Sequence, residues 1–390
     1  MEEAVDSYNK AIEFQPDFAE AYYNRGNALT NLGQPEAAVD NYDQVIEFQP
    51  DCAEAYSNRG NVLKELGQLE AAVDSCNQAI ELQPDFAEAH WNLSLALLGN
   101  FEDGWREYEW RWETGNFEKP SHDFHEMLWD GTPLDGKTIL LFAEQGFGDT
   151  IQFIRYVEEV EKYSGNIIVE CQKPLFRLLL NVPKIDRLII KGDHVPNFNV
   201  CAPLLSIPYI LGTTSASIPA NTPYLFSNDN SVHLKNLQEK NKNVGIVWAG
   251  SPKHKNDRNR STQLSNFLPL ASLPGVQLFS LQVGSRRADL KRIINETTII
   301  DATSEINDYA DTAAIIGQLD LIISVDTSVA HLAGPMGKPV WVLLPFAPDY
   351  RWLLDRGDSP WYPTMQLYRQ RSPGNWSDIF DEIERLLRAE

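Results

Sequence analysis

The chain has 390 residues, enough for two or three domains, and its 33 Lys and Arg against 55 Asp and Glu give a formal charge of −22. That acidity argues against a nucleic acid or an anionic membrane as partner, because both need clustered Lys and Arg. There is no basic-then-apolar leader, no apolar run near the ~20 residues of a membrane span, and no close pair among the four cysteines. A cytoplasmic, reduced, globular protein is expected.

The charge is uneven. Residues 1–100 hold 18 acidic and 4 basic side chains, so most of the excess lies at the front. The same stretch repeats itself every 34 residues, with Pro16, Pro50 and Pro84 in register. Asn24-Arg25-Gly26-Asn27 superimposes on Asn58-Arg59-Gly60-Asn61, and Ala37-Ala38-Val39-Asp40 on Ala71-Ala72-Val73-Asp74. Leu32-Gly33-Gln34 returns as Leu66-Gly67-Gln68. Small residues where two helices meet, with Pro closing each unit, resemble the tetratricopeptide repeat over residues 1–112. Such units cannot bury their apolar faces alone and must stack. In this alignment Cys52 takes the place of Phe18, Cys76 of Tyr42 and His90 of Tyr56, so all three are expected to be packing positions. Trp105, Tyr108, Trp110 and Trp112 crowd the last helix and are expected to dock the repeats onto the remainder of the chain.

Residues 113–136 read as a linker. Its His122 and His125 could open a metal site, but no third ligand lies close in sequence and none is expected. From 137 the pattern becomes strand and helix in alternation. Strands are predicted at 138–142, 166–169, 244–248, 277–281, 321–325 and 340–344, with helices at 149–161, 309–316 and from Ser328. A polar linker, 227–243, divides an amino-terminal domain (137–226) from a second domain (244–390). Alternation of this kind implies parallel sheets, with ligands at the carboxyl ends of the strands.

Three loops fall at such ends. The first, Glu144-Gln145-Gly146-Phe147-Gly148-Asp149, brings Asp149 to a helix start, where it could cap the helix or act as a general base. Its Gly-x-Gly, with Glu170 ending the next strand, also suggests dinucleotide binding. Ile151 at the third glycine position, and a carboxylate at the place of a pyrophosphate, speak against that; at about 4 Å the repulsion is some ~4 kcal/mol. The second loop, 249–261, sets Lys253, Lys255, Arg258 and Arg260 beside Ser251 and Ser261 in an otherwise acidic chain. It reads either as a solvated charge run or as a diphosphate clamp. In the third, Thr327 and Ser328 begin a helix and His331 falls in its first turns, a pattern suited to an anion or to ordinary capping.

The third run reads Asp-Thr-Ser-x-x-His-Leu-Ala-Gly-x-Met-Gly-Lys-Pro-Val from Asp326 to Val340. It resembles the donor-site signature of glycosyltransferase family nine, the heptosyltransferase-like enzymes. Gly148-Asp149 and the Ser-Pro-Trp-Tyr-Pro run at 359–363 are similar to that family too, and repeats fused to such a domain are a recurring bacterial arrangement. The resemblance implies a helical repeat solenoid followed by a GT-B fold of two Rossmann-like domains. It further implies Asp149 as the catalytic base, with Ser251, Lys255, Arg260 and Ser261 on phosphate. Asp326, Thr327, Ser328 and His331 would complete the diphosphate and sugar site, while Gln282, Val283, Gly284 and Asn307 would meet the nucleoside. The implied activity is inverting, metal-independent transfer from a nucleoside-diphosphate sugar, with no further cofactor, to a protein or glycan acceptor recruited by the repeats. A first domain of about 90 residues is short for this family and puts the acceptor in doubt. The alternative of another class is a repeat-based interaction scaffold whose transferase domain no longer turns over.

Overall fold

The computed structural model describes residues 1–97, 99–115, 127–227, 232–293, 298–354 and 356–389; His122 and His125 lie outside the described residues. The chain forms two compact units, one from Met1–Lys119 with Phe346–Leu354, the other from Pro120–Pro345 with Asp355–Glu390.

The first unit is helical: α1 (Glu2–Phe14), α2 (Ala19–Leu32), α3 (Pro35–Phe48), α4 (Ala53–Glu65), α5 (Leu69–Leu82), α6 (Ala87–Ala96) and α7 (Phe101–Tyr108), then a 3-10 turn at Glu109–Glu113. The repeated Leu-Gly-Gln explains the tight corners. Gly33 ends α2 in the left-handed region at φ 76°. Its N–H bonds Thr30 O at 3.1 Å, while the Gln34 N–H returns to Leu29 O at 3.0 Å, which satisfies carbonyls that the helix end would leave bare. Pro35 then opens α3, where its missing N–H costs nothing. Leu29, Ala38, Tyr42 and Val62 form one packed cluster between successive repeats.

Cys76 is fully buried, and burial pushes its thiol up to about 12. His90 is buried with its ring stacked 4.0 Å from Trp110, one nitrogen on Glu107 and the other on Pro84 O. Cys52, by contrast, is half-buried at the start of α4.

The aromatic face divides, in contrast to the single docking surface expected. Trp105 and Tyr108 pack on Tyr350, at ring distances of 5.5 and 5.9 Å, whereas Trp110 folds back on His90 and Trp112 lies against Arg111. Residues 346–354 therefore leave the expected 244–390 domain and join the repeats. Tyr350 and the fully buried Trp352 supply the apolar cover that a terminal repeat needs.

The second unit holds two sheets. The first contains β1 (Thr138–Phe142), β2 (Asn166–Cys171), β3 (Arg187–Ile190) and β4 (Val200–Pro203), with short helices α8 (Phe147–Phe153), α9 (Val157–Glu161), α10 (Phe176–Leu179) and α11 (Ile207–Ile210). Its strand order is β3-β2-β1-β4, all parallel. The second contains β5 (Lys242–Val247), β6 (Val276–Ser280), β7 (Ile300–Asp301), β8 (Leu321–Val325), β9 (Val340–Leu344) and β10 (Met365–Arg369). Between them run α12 (Asp257–Arg260), α13 (Leu268–Ala271), α14 (Arg287–Ile293), α15 (Tyr309–Gly317) and α16 (Ser328–Ala333), and α17 (Ser377–Ala389) closes the chain. The order is β10-β9-β8-β5-β6-β7, again parallel, which is the doubly wound pattern.

Strands covered on both faces read as near-continuous apolar runs, and β6, β8 and β9 are buried at every residue, with Gln277, Ser280 and Ser324 as polar exceptions. Helix α17 buries Ile379, Phe380, Ile383 and Leu387 on one face, each worth roughly 1.5–3 kcal/mol, and Phe380 meets Phe267 edge-on at 4.9 Å.

Both expected linkers are shorter than their composition suggests. Trp129 and Leu134 are buried, and the Trp129 N–H donates to Cys201 O at 2.8 Å. Strand β5 already starts at Lys242, inside the polar stretch. In each case ladder bonding recruits residues whose side chains read as loop. The helix expected at 149–161 is two helices, α8 and α9, joined by a 3-10 turn at Ile154–Tyr156. Among the described residues no helix is long and apolar enough to cross a membrane.

Candidate functional site

In a doubly wound sheet the crevice opens where the strand order reverses, between β1 and β4 in one sheet and between β5 and β8 in the other. All three chemistry-bearing loops leave strands at these points: 144–149 after β1, 249–261 after β5 and 326–331 after β8.

The first loop is pinned from β2's side by Gln172, whose amide donates to Gln145 O at 2.9 Å and accepts from the Thr150 hydroxyl at 3.0 Å. Asp149 is the third residue of α8 rather than its first. Gly146 takes the extended cap position, and the Asp149 carboxylate reaches back to accept its N–H at 2.8 Å. The bond orients a half-buried carboxylate at the mouth of the sheet.

The second loop divides its polar residues between two duties. Ser261 accepts the Gly250 N–H at 3.0 Å and donates to Asp257 at 2.9 Å. Arg260 lies 3.7 Å from the same carboxylate, its guanidinium against Gly250, where a Cβ would come within 2.5 Å of Nη2. These two residues shape the loop, while Ser251 and Lys255 lie on its exposed side.

The third loop is the most buried. Ser324 and Thr327 hydroxyls meet at 3.0 Å, and Ser328 shares a 2.7 Å hydrogen bond with the Tyr309 phenol, whose pKa burial pushes up to about 12. Tyr309 in turn packs against Phe147 of the first loop at 5.2 Å. His331 is 6% exposed, with Nδ1 at 3.1 Å from the Tyr362 hydroxyl and Nε2 at 3.6 Å from Asp326. A Cβ on Gly148 would stand 3.1 Å from His331 Cδ2 and 3.5 Å from Ser328 Cα. The first and third motifs, far apart in sequence, thus sit side by side.

The expected nucleoside residues separate. Gln282 is buried, and its amide is spent on backbone: it accepts from Trp248 and Ala249 N–H at 3.1 and 2.9 Å and donates to Ala249 O at 2.9 Å. It ties the ends of β5 and β6 together. Val283 is 49% exposed beside Gly284, around which the space is open. The Asn307 amide bonds Asp311 at 3.0 Å, and Arg177 of α10 bonds both Asp308 and Asp311, at 2.9 and 3.0 Å, joining the two halves of the unit.

Tyr309, Tyr362 and Arg155 were not singled out from the sequence as site residues. The Ser-Pro-Trp-Tyr-Pro run was the available signal for Tyr362; nothing local distinguishes Tyr309. Among the described residues no group of three or more His, Cys, Asp or Glu is arranged to hold a metal ion.

Comparison with known proteins agrees with the front of the molecule. Residues 1–33 and 26–67 match the family described as TPR repeat, and 53–86 the tetratricopeptide repeat. Over 98% of its length the chain is 25% identical to Protein FlbA of Caulobacter vibrioides (strain ATCC 19089 / CIP 103742 / CB 15), and it spans 63% of that relative's length. Among solved structures it is similar to a glycosyl transferase family 9 protein of Veillonella parvula DSM 2008, at 14% identity and TM-score 0.48 over 66% of this chain and 92% of that one. It is also similar to YrrB, described as a TPR protein with an unusual peptide-binding site, at 24% identity and TM-score 0.26 over 28% of this chain and 57% of that one. The amino-terminal region of the chain is therefore built of tetratricopeptide repeats, followed by an α/β unit of two parallel sheets.

Proposed function

We propose that the protein is an inverting glycosyltransferase of GT-B type, moving a sugar from a nucleoside diphosphate to a protein or glycan hydroxyl that the repeats recruit. The observation that carries this reading is the approach of Gly148 to His331, which puts a carboxylate-bearing helix start beside a hydroxyl-rich one, each at the switch point of a parallel sheet. Asp149 takes the proton of the acceptor hydroxyl. The acceptor oxygen attacks the anomeric carbon from the face opposite the leaving group, and the diphosphate departs with the bonding electron pair, so the configuration inverts. Negative charge developing on the diphosphate is met by Lys255, by the Ser251, Thr327 and Ser328 hydroxyls and by His331, with Arg260 and Ser261 holding the loop that presents Lys255. Asp326 orients the third loop beside His331. The nucleoside lies along Val283 and Gly284, with Gln282 fixing that strand end and Asn307 at its border. The chemistry is charge neutralisation by side chains and asks for no metal.

A second reading, a repeat scaffold with an inactive transferase unit, is favoured by the internal partners of Asp149, Arg260 and Ser261. The deciding experiment offers ADP-, GDP- and UDP-linked sugars with candidate acceptors and follows nucleoside-diphosphate release. Transfer predicts release from one donor class. Binding without release, seen as a thermal shift of the size given by about 2.7 kcal/mol at 100 times Kd, would select the scaffold.

A further inference from the structure

We infer that Tyr362 is a positioning residue for His331: its hydroxyl anchors Nδ1 of the imidazole, while Asp326 keeps the proton on Nε2. The inference rests on His331 belonging to the proposed donor site, yet it concerns a state that can be read without any ligand.

A neutral imidazole has one donor and one acceptor nitrogen, and its neighbours choose which is which. Here Nδ1 faces the Tyr362 hydroxyl at 3.1 Å, and Nε2 faces the Asp326 carboxylate at 3.6 Å. With the phenol donating to Nδ1, the Nε2 proton points towards the carboxylate. The opposite tautomer would turn a lone pair on Nε2 against negative charge. A phenol hydroxyl can donate or accept, so the carboxylate selects the form and the phenol matches it by donating to Nδ1; Nε2 is then a donor on the side of the loop where a diphosphate oxygen would arrive.

The phenol is itself held. Tyr362 is fully buried and packs on Gly334, where a Cβ would come within 2.7 Å of its Cδ1. The Arg155 guanidinium lies 4.7 Å from its ring centre. Arg155 Nη1 donates to the neighbouring Trp361 carbonyl at 2.8 Å and to Pro219 O at 3.2 Å, and Nη2 donates to the Tyr224 phenol at 2.9 Å. A buried cation with carbonyl, phenol and π-face partners is a rigid post. Gly148 closes the opposite side of the imidazole. His331 is thus gripped between a helix start of the first sheet and a ring anchored by Arg155.

The test uses the full chain labelled with 15N at its seven histidines and long-range 1H–15N spectra, with His331 assigned through His331→Asn. In the wild type the neutral His331 ring is expected as the Nε2–H form. In Tyr362→Phe the carboxylate keeps that form but the ring loses its Nδ1 anchor, and the affinity for the nucleoside diphosphate that binds best among ADP, GDP and UDP falls about tenfold, the scale of one hydrogen bond to a charged ligand. A wild-type ring protonated at Nδ1, or a Tyr362→Phe affinity matching the wild type, overturns the inference. The wild-type spectrum decides it alone if the variant does not fold. Absence of any nucleotide binding would defeat the functional reading instead, and the tautomer would still be measured.

Discussion

Both units use glycine to bring two elements into contact, but for different ends. In the repeats a Cβ on Gly26 would come within 2.9 Å of Tyr42, and one on Gly60 within 2.5 Å of Cys76. The device recurs one repeat further along, and the partner ring becomes a thiol because only volume matters there. In the α/β unit Gly148 and Gly334 clear space for His331 and Tyr362, single residues with defined polar atoms. Packing can be copied along a solenoid and tolerates exchange, whereas a reactive constellation is assembled once from segments far apart in sequence.

The sharpest way to break this contrast lies in the aperiodic unit. Asp149→Asn keeps the shape of the side chain and is expected to lower transfer 10²–10⁴-fold, the usual contribution of a positioned base, while nucleotide binding survives. Turnover at the wild-type rate would remove Asp149 from the chemistry.

A smaller effect is expected in the repeats. Gly60→Ala inside a helix would normally gain about 1 kcal/mol of propensity, but the added methyl meets Cys76, and overpacking of this kind costs roughly 1–3 kcal/mol. Cys76→Ala should relieve much of that loss. Denaturant midpoints for the two single variants and the double variant would show a coupling of about 0.5–3 kcal/mol; strict additivity would contradict the packing account.

The smallest effect concerns the Arg177 bridge. Burial alone would raise the Asp311 carboxyl, but hydrogen bonds from Asn307 and the Arg177 charge outweigh it and hold it below its usual 3.8. A depressed folded-state value stabilises the protein above the ordinary carboxyl range, and that contribution fades as the pH drops through it. Arg177 is 43% exposed, so Arg177→Ala should cost no more than about 1 kcal/mol at pH 7. Urea midpoints of wild type and variant should approach each other as the pH falls below the ordinary carboxyl value; a gap independent of pH would show that the pair's charge is irrelevant.

Much of the architecture was legible in the chain. Strands β1, β8 and β9 fall on the predicted residues because short apolar runs between turn residues leave little choice in a covered parallel sheet. Strands β3, β4, β7 and β10 were not individually predicted: the first three have only two to four residues, and Gln366 and Arg369 break the apolar run of β10. The loops of the candidate site were legible as motifs, but the division of labour within them was not. Gln282 has the same local signature whether it touches a ligand or, as here, ties Trp248 and Ala249 to the neighbouring strand.

The sequence by itself determined the repeat period, the alternation of strands and helices, and the three loops at strand ends, because each is a local property of spacing and residue size. Only the tertiary structure decided that residues 346–354 cap the repeats, that Gly148 meets His331, and that Tyr362 and Arg155 stand behind that imidazole. Those contacts join segments that share no local pattern, and they exist only once the apolar faces of distant elements have been forced together away from water.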